Sequence, residues 1–253
     1  MNEELLFSLM VDLHLEGERQ GPGSSEETLR ALAHSRLDTS SSLEVADIGC
    51  GTGASTLVLA RNLPNSQITA VDLFPAFLDV LARRAEKDGV SNRIKGIEGS
   101  MDCLPFTEES FDLIWSEGAI YNIGFKKGIE LWKPFLKIGG VLAVSEIMWL
   151  HPNPPTEIRE HWEAEYPEIA TAPEKIKSLE AAGYDLLGYS VLPPSNWITN
   201  YYAPTESRIP KFSARHVGVQ EVEELIAMER QEAKLYEQYQ NWFSYGFYVV
   251  VKR

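Results

Sequence analysis

Cysteine is nearly absent from this 253-residue chain: Cys50 and Cys103 stand alone, and neither belongs to a CxxC pair. That excludes a disulfide framework and any zinc-site spacing, leaves no metal site to assign, and suits a reducing compartment. Long apolar runs are also missing, none approaching the ~18 residues that span a bilayer. The opening Met1-Asn-Glu-Glu-Leu5 lacks the basic stretch of a secretion signal. A soluble, cytoplasmic protein without a membrane span is expected. Basic residues number 23 against 37 acidic ones, a formal net charge of −14, so nucleic acid would be repelled at long range and is not expected as a partner. Internal repeats and low-complexity tracts are absent too. What remains, 44% hydrophobic and 24% charged residues, is the composition of one globular domain over residues 1–253.

Strand-like and helix-like segments alternate along most of it. Val45–Ile48, Gln67–Val71, Ile94–Glu98, Phe111–Trp115 and Val141–Ile147 are short apolar runs bounded by turn residues or charge, the pattern of strands buried on both faces. Between them, Ala54–Leu63, Pro75–Asp88 and Lys126–Leu136 carry helical periodicity. Tyr184–Leu192 and Tyr245–Val251 read as sixth and seventh strands, preceded by helices near Glu174–Ala182 and Val219–Trp242. The expected fold is α/β: a Rossmann-like, doubly wound seven-stranded sheet with helices on both faces. Residues 1–40 read as two helices, the second opened by the capping box Ser24-Ser-Glu-Glu27, with Glu18–Gly23 as a candidate lid. Residues 149–172 and 193–215, rich in Pro, Trp and Tyr, read as insertions forming a candidate substrate cap.

The strongest motif is Asp47-Ile-Gly49-Cys-Gly51-Thr-Gly53, where a strand ends and a helix begins. Glycines there allow positive φ and close approach of a ligand to the backbone, and the helix start offers free N–H groups. Asp72 ends the second strand, placed to accept the hydroxyls of a ribose. A dinucleotide turn remains an alternative, since Gly49, Gly51 and Ala54 supply its spacing, but Asp47 would repel a pyrophosphate while it can hold an ammonium. Cys50 reads as a small packing residue, with no histidine in the motif to activate it.

These residues resemble the class I S-adenosylmethionine-dependent methyltransferases, over roughly residues 40–150, and within them the branch of ubiquinone and menaquinone biosynthesis and many small-molecule enzymes. The resemblance implies an antiparallel last strand. It also implies S-adenosylmethionine as cofactor, with Asp47, Gly49, Gly51 and Gly53 on its methionine part and Asp72 on its ribose, followed by Leu73. In Gly99-Ser-Met101-Asp102, it puts Met101 against the adenine ring and Asp102 on its amine. Ser116 and Glu117 follow beneath the sulfonium, and the Gly139-Gly140 turn precedes the fifth strand.

Acceptor-side candidates cluster after strands four to six: Tyr121, Asn122, Trp149, His151, Trp197, Tyr201, Tyr202 and Arg208. An aromatic pocket with an acid suits a cationic acceptor or a planar aromatic one, and a hydrophobic cap is the competing reading of the Trp197–Tyr202 cluster. No catalytic acid or base is assigned. The functions left open are transfer of a methyl group to a small molecule, NAD(P)-dependent oxidoreduction, and non-catalytic binding of S-adenosylmethionine.

Overall fold

The computed structural model describes residues 3–253. Its elements run α1 (Glu3–His14), α2 (Ser25–His34), β1 (Glu44–Ile48), α3 (Ala54–Asn62), β2 (Gln67–Asp72), α4 (Pro75–Lys87), β3 (Ile94–Glu98), β4 (Phe111–Glu117), α5 (Phe125–Trp132) and β5 (Leu136–Trp149). Then follow α6 (Thr156–Glu165), β6 (Ala170–Thr171), α7 (Ala172–Ala181), β7 (Tyr184–Val191), α8 (Pro194–Trp197), a π-turn at Ile198–Tyr202, α9 (Ala203–Arg215), α10 (Gln220–Tyr239) and β8 (Phe243–Lys252). Among the described residues, no helix is long and apolar enough to cross a membrane.

Seven strands lie in the order β3-β2-β1-β4-β5-β8-β7, parallel except for β8, which pairs antiparallel with both β5 and β7. The strand order reverses between β1 and β4, so the carboxyl ends of these two strands open onto the crevice where ligands of such sheets are held. The strands bury both faces: Val45, Leu113, Val141 and Ala143 face one apolar layer, Ala46, Ile114, Leu142 and Val144 the other. Continuous apolar runs are what that double burial requires.

Four expectations need correction. The helix expected to reach Leu136 stops at Trp132, because Pro134 can donate no backbone hydrogen bond; Lys133–Phe135 tightens into a 3-10 turn. The Gly139-Gly140 pair lies inside β5, not before it, at a register shift against β4 between Phe111 and Leu113. Residues 149–172 contribute the two-residue strand β6 beside β5, and 193–215 is almost wholly helical. Ser24 does cap α2, accepting from the Glu27 N–H at 3.2 Å, but the Glu27 carboxylate turns to Arg30.

Leu9 and Leu13 of α1 pack with Ile209 and Phe212 of α9 and with Val222, Leu225 and Ile226 of α10 in a separate apolar cluster. Both ends of the chain thus build one helical cap over the sheet's edge.

Candidate functional site

The turn after β1 is shaped by its glycines. Gly49 and Gly51 have φ of +74° and +53°, where any side chain is strained. A Cβ on Gly49 would run into Ala119, and one on Gly51 into the Gln20 carbonyl. The backbone N–H of Gly51 donates to Asp72 Oδ2 at 2.7 Å and that of Phe74 to Asp72 Oδ1 at 3.0 Å, which fastens the turn to the end of β2. Burial pushes the Asp72 carboxyl above its usual range, with these amides pulling the other way.

Asp47 is fully buried. Its Oδ2 accepts from Ser55 Oγ at 2.8 Å and Thr56 Oγ1 at 2.6 Å, while Oδ1 has no hydrogen-bond partner among the described residues. Desolvation lifts its pKa to about 7. An orphaned acceptor behind a glycine turn fits the ammonium of an amino-acid moiety, and Asp72 beside it fits a ribose. Together they suit S-adenosylmethionine.

The other cofactor candidates are unevenly placed. The methyl end of Met101 lies 3.5 Å from where a Gly49 side chain would begin, and the Met101 carbonyl accepts from Trp132 Nε1 at 2.8 Å. Ser116 is buried and donates to the Ile48 carbonyl at 2.8 Å, bracing β4 against β1. Leu73 leaves 53% of its surface open. Asp102 points outward; it accepts from Ser100 Oγ at 2.6 Å and faces Lys127 Nζ at 3.4 Å, contacts that hold its carboxyl below the usual range.

Residues 17–23 lie across the glycine turn. Gln20 Oε1 accepts from the Thr52 N–H at 2.8 Å, and Gln20 Nε2 donates to the carbonyls of His14 and Gly17. Arg84 ties the same stretch down, donating to the carbonyls of Gly17, Glu18 and Thr52. Arg19 reaches Glu117 Oε2 at 2.6 Å, with both side chains nine-tenths buried. The second Glu117 oxygen accepts from Thr28 Oγ1 at 2.7 Å and Trp115 Nε1 at 2.9 Å. Glu117, expected beneath the sulfonium, is therefore the anchor of the strap. Arg19 and Gln20 lie in the expected lid segment, but their partners, and the roles of Thr28 and Arg84, escaped the sequence reading because no motif marks a contact spanning up to 98 residues.

On the acceptor side the expected residues divide. Trp197 is only 2% exposed, stacks on Tyr236 at 4.4 Å and donates its Nε1 to Ser244 at 3.0 Å, so it belongs to the core under the cap. Trp149 is buried in the same cluster. Arg208 donates to the Leu13 carbonyl and to Thr205 Oγ1, fixing α9 to α1. Asn122 caps the Ala119 carbonyl, and His151 lies exposed with its ring edge against Trp242. Tyr121, Tyr201 and Tyr202 instead stand with two residues the sequence reading missed, Tyr245 and Glu232. Tyr202 donates to Glu232 Oε1 at 2.9 Å, and Tyr245 lies 3.0 Å from where a Gly118 side chain would begin. Tyr245 was hidden among the valines of a strand, and Glu232 among the many acids of a solvated helix.

Comparison with known proteins agrees with this geometry. A methyltransferase domain model matches residues 45–140. The chain is 30% identical over 198 residues to trans-aconitate 2-methyltransferase of Escherichia coli, covering 75% of this chain and 69% of that one. It is likewise 30% identical over 188 residues to erythromycin 3''-O-methyltransferase of Saccharopolyspora erythraea, covering 71% of this chain and 55% of that protein, so it spans about half of that relative's length. The fold is shared with a methyltransferase from Geobacter sulfurreducens solved with S-adenosyl-L-homocysteine, at a TM-score of 0.84 and 21% identity over 98% of both chains. This chain belongs to the S-adenosylmethionine-dependent methyltransferase family.

Proposed function

We propose that the chain transfers the methyl group of S-adenosylmethionine to a small-molecule acceptor seated between the carboxyl ends of β4 and β5 and the helical cap. The observation that carries this reading is the meeting, at one sheet edge, of the orphaned Asp47 Oδ1, the positive-φ turn of Gly49 and Gly51, and Asp72 bonded to Gly51. In this reading Asp47 and the turn hold the amino-acid end of the cofactor, Asp72 the ribose, Leu73 and Met101 the faces of the base, and Asp102 its amino group. When bound, the cofactor supplies an activated methyl group and a neutral thioether leaving group. The chain then has to align the acceptor and exclude water. Residues 17–23, sewn to the turn by Gln20 and Arg84, serve as the lid that excludes it. The small-molecule acceptor is supported by a site closed from both ends of the chain, and a cytoplasmic setting by the unpaired Cys50 and Cys103.

Calorimetric titration with S-adenosylhomocysteine and with NAD tests the cofactor, and transfer of labelled methyl from S-adenosylmethionine into a panel of small amines, alcohols, acids and phenols tests the activity. Binding of S-adenosylhomocysteine without NAD, and label in a small product, is the expected result. Binding of NAD alone would replace the proposal by a dehydrogenase. Cofactor binding with label appearing only in added protein or nucleic acid would overturn the small-molecule acceptor.

A further inference from the structure

The walls around Gly118 share one chemistry. Tyr245 is 8% exposed, its ring lies against Gly118 immediately after Glu117, and its hydroxyl has no hydrogen-bond partner among the described residues. Behind Tyr245, the buried Trp197 at 4.8 Å packs on to Tyr202, and the rings of Tyr202 and Tyr201 lie 5.1 Å apart. His14 stacks on Tyr201 at 5.8 Å and is itself held by Glu229 at 3.0 Å. Glu232 stands at the back, bonded to Tyr202.

Glu232 presents open area beside the Tyr202 hydroxyl, and desolvation of its carboxyl lifts its pKa to about 7. Tyr121 shows the same pair, 41% exposed with a phenol pushed upward by desolvation. Both stand in the ring cluster that also holds Tyr201, Tyr202 and Tyr245. The charged groups near Glu232 are Glu229 and His14, and the phenols are those of Tyr121, Tyr201, Tyr202 and Tyr245. His14 is engaged by Glu229, and among the described residues no lysine or arginine is bonded to Glu232. A desolvated carboxylate facing aromatic rings, without a cation of its own, is complementary to a ligand that brings one.

We propose that the acceptor bears a positively charged nitrogen, an amine or quaternary ammonium group, held by Glu232 among the rings of Tyr121, Tyr201, Tyr202 and Tyr245. This deepens, and rests on, the reading of the site as one of methyl transfer to a small molecule. An anionic or purely hydrophobic acceptor would leave the Glu232 carboxylate buried against it.

The test uses the full chain saturated with S-adenosylhomocysteine, and two probes of equal shape: choline, with a permanent charge, and 3,3-dimethylbutan-1-ol, its neutral carbon analogue. Choline is expected to bind at least tenfold more tightly. Its binding should weaken as pH falls from 8 to 6, since the probe keeps its charge while Glu232 takes up a proton. In Glu232→Gln the preference should drop to near parity and the pH dependence vanish, with S-adenosylhomocysteine affinity unchanged. Equal binding of the two probes, or binding of neither, overturns the proposal, as does a pH dependence removed by His14→Gln but kept in Glu232→Gln. Failure of S-adenosylhomocysteine to bind is a separate outcome, which overturns the cofactor reading beneath it.

Discussion

In the proposed reading, the groups offered to ligand at the β1–β2 edge are a glycine turn and two carboxylates drawn from residues 47–72, whereas at the β4–β8 edge they are side chains drawn from positions 121, 201, 202, 232 and 245. The first half is made by the local conformation of a continuous stretch. The second exists only after α1, the π-turn, α9 and α10 have closed over the sheet. A site built from backbone is rigid and tolerates no side chain at its glycines; a site built from side chains can change its ligand by single substitutions. The architecture thus suits a fixed cofactor paired with a variable acceptor.

The largest effect should come from putting a side chain on the backbone half. Gly51→Val introduces a β-branched residue at φ +53° and directs its Cβ into Gln20. S-Adenosylhomocysteine binding is expected to be lost beyond calorimetric detection in a variant that keeps its circular dichroism spectrum. Retained affinity would mean that the turn serves only the fold.

Trp197→Ala tests the other half. With its ring stacked on Tyr236 and nearly inaccessible, its removal should cost ~3–5 kcal/mol, as for other buried Trp to Ala changes. Cofactor affinity should hold in the protein that remains folded. Tyr245→Phe, which deletes only an unpartnered hydroxyl, should leave the melting temperature almost unchanged. A small loss in Trp197→Ala would return that residue to the ligand wall.

The same contrast explains what could be read in advance. The strands and the glycine turn were legible because strands buried on both faces are written as apolar runs, and because the turn's constraint is carried by Gly49, Gly51 and Gly53 at fixed spacing. Trp197 misled: an aromatic beside Pro193 and Pro194 looks like a loop ligand until the π-turn buries it under α10. Arg19 on Glu117 and Glu232 on Tyr202 were illegible, since charge in a sequence does not say which tertiary partner it will meet.

Asp72→Ala should weaken S-adenosylhomocysteine binding by roughly 1.5–3 kcal/mol, the cost of losing hydrogen bonds to a charged acceptor. Because Asp72 also accepts from the Gly51 and Phe74 amides, some thermal stability should go with it. Unchanged affinity would remove the ribose assignment.

A smaller, signed effect concerns Asp47. Its pKa near 7 in the free protein means that much of it is protonated at pH 6.5. An ammonium placed on Oδ1 favours the carboxylate, so cofactor binding should release a fraction of a proton, seen as a dependence of binding enthalpy on the ionisation enthalpy of the buffer. In stability the sign is opposite to that of a salt-bridged acid: the raised pKa makes the free fold lose stability as pH rises from about 4 to about 7. Asp47→Asn should abolish the proton release, and its persistence in that variant would place the titrating group elsewhere.

The smallest effect separates the two roles of Asp102, an outward-facing member of the cofactor half. Its contacts are Ser100 and a solvent-exposed Lys127, and exposed pairs of this kind add little to stability, so Lys127→Ala should barely move the melting temperature. If Asp102 accepts from the adenine amino group, Asp102→Asn should lower S-adenosylhomocysteine affinity only a few-fold, because the amide oxygen can still accept. The inosine analogue carries a carbonyl where adenine has the amino group. Asp102 should repel that oxygen, whereas an amide there can turn its NH2 toward it, so the variant should bind the inosine analogue more tightly than the unaltered protein does. A crossover in preference of this kind cannot come from a change in loop stability, which would shift both ligands alike. Parallel losses for both would leave Asp102 as a turn residue and confine base recognition to Leu73 and Met101.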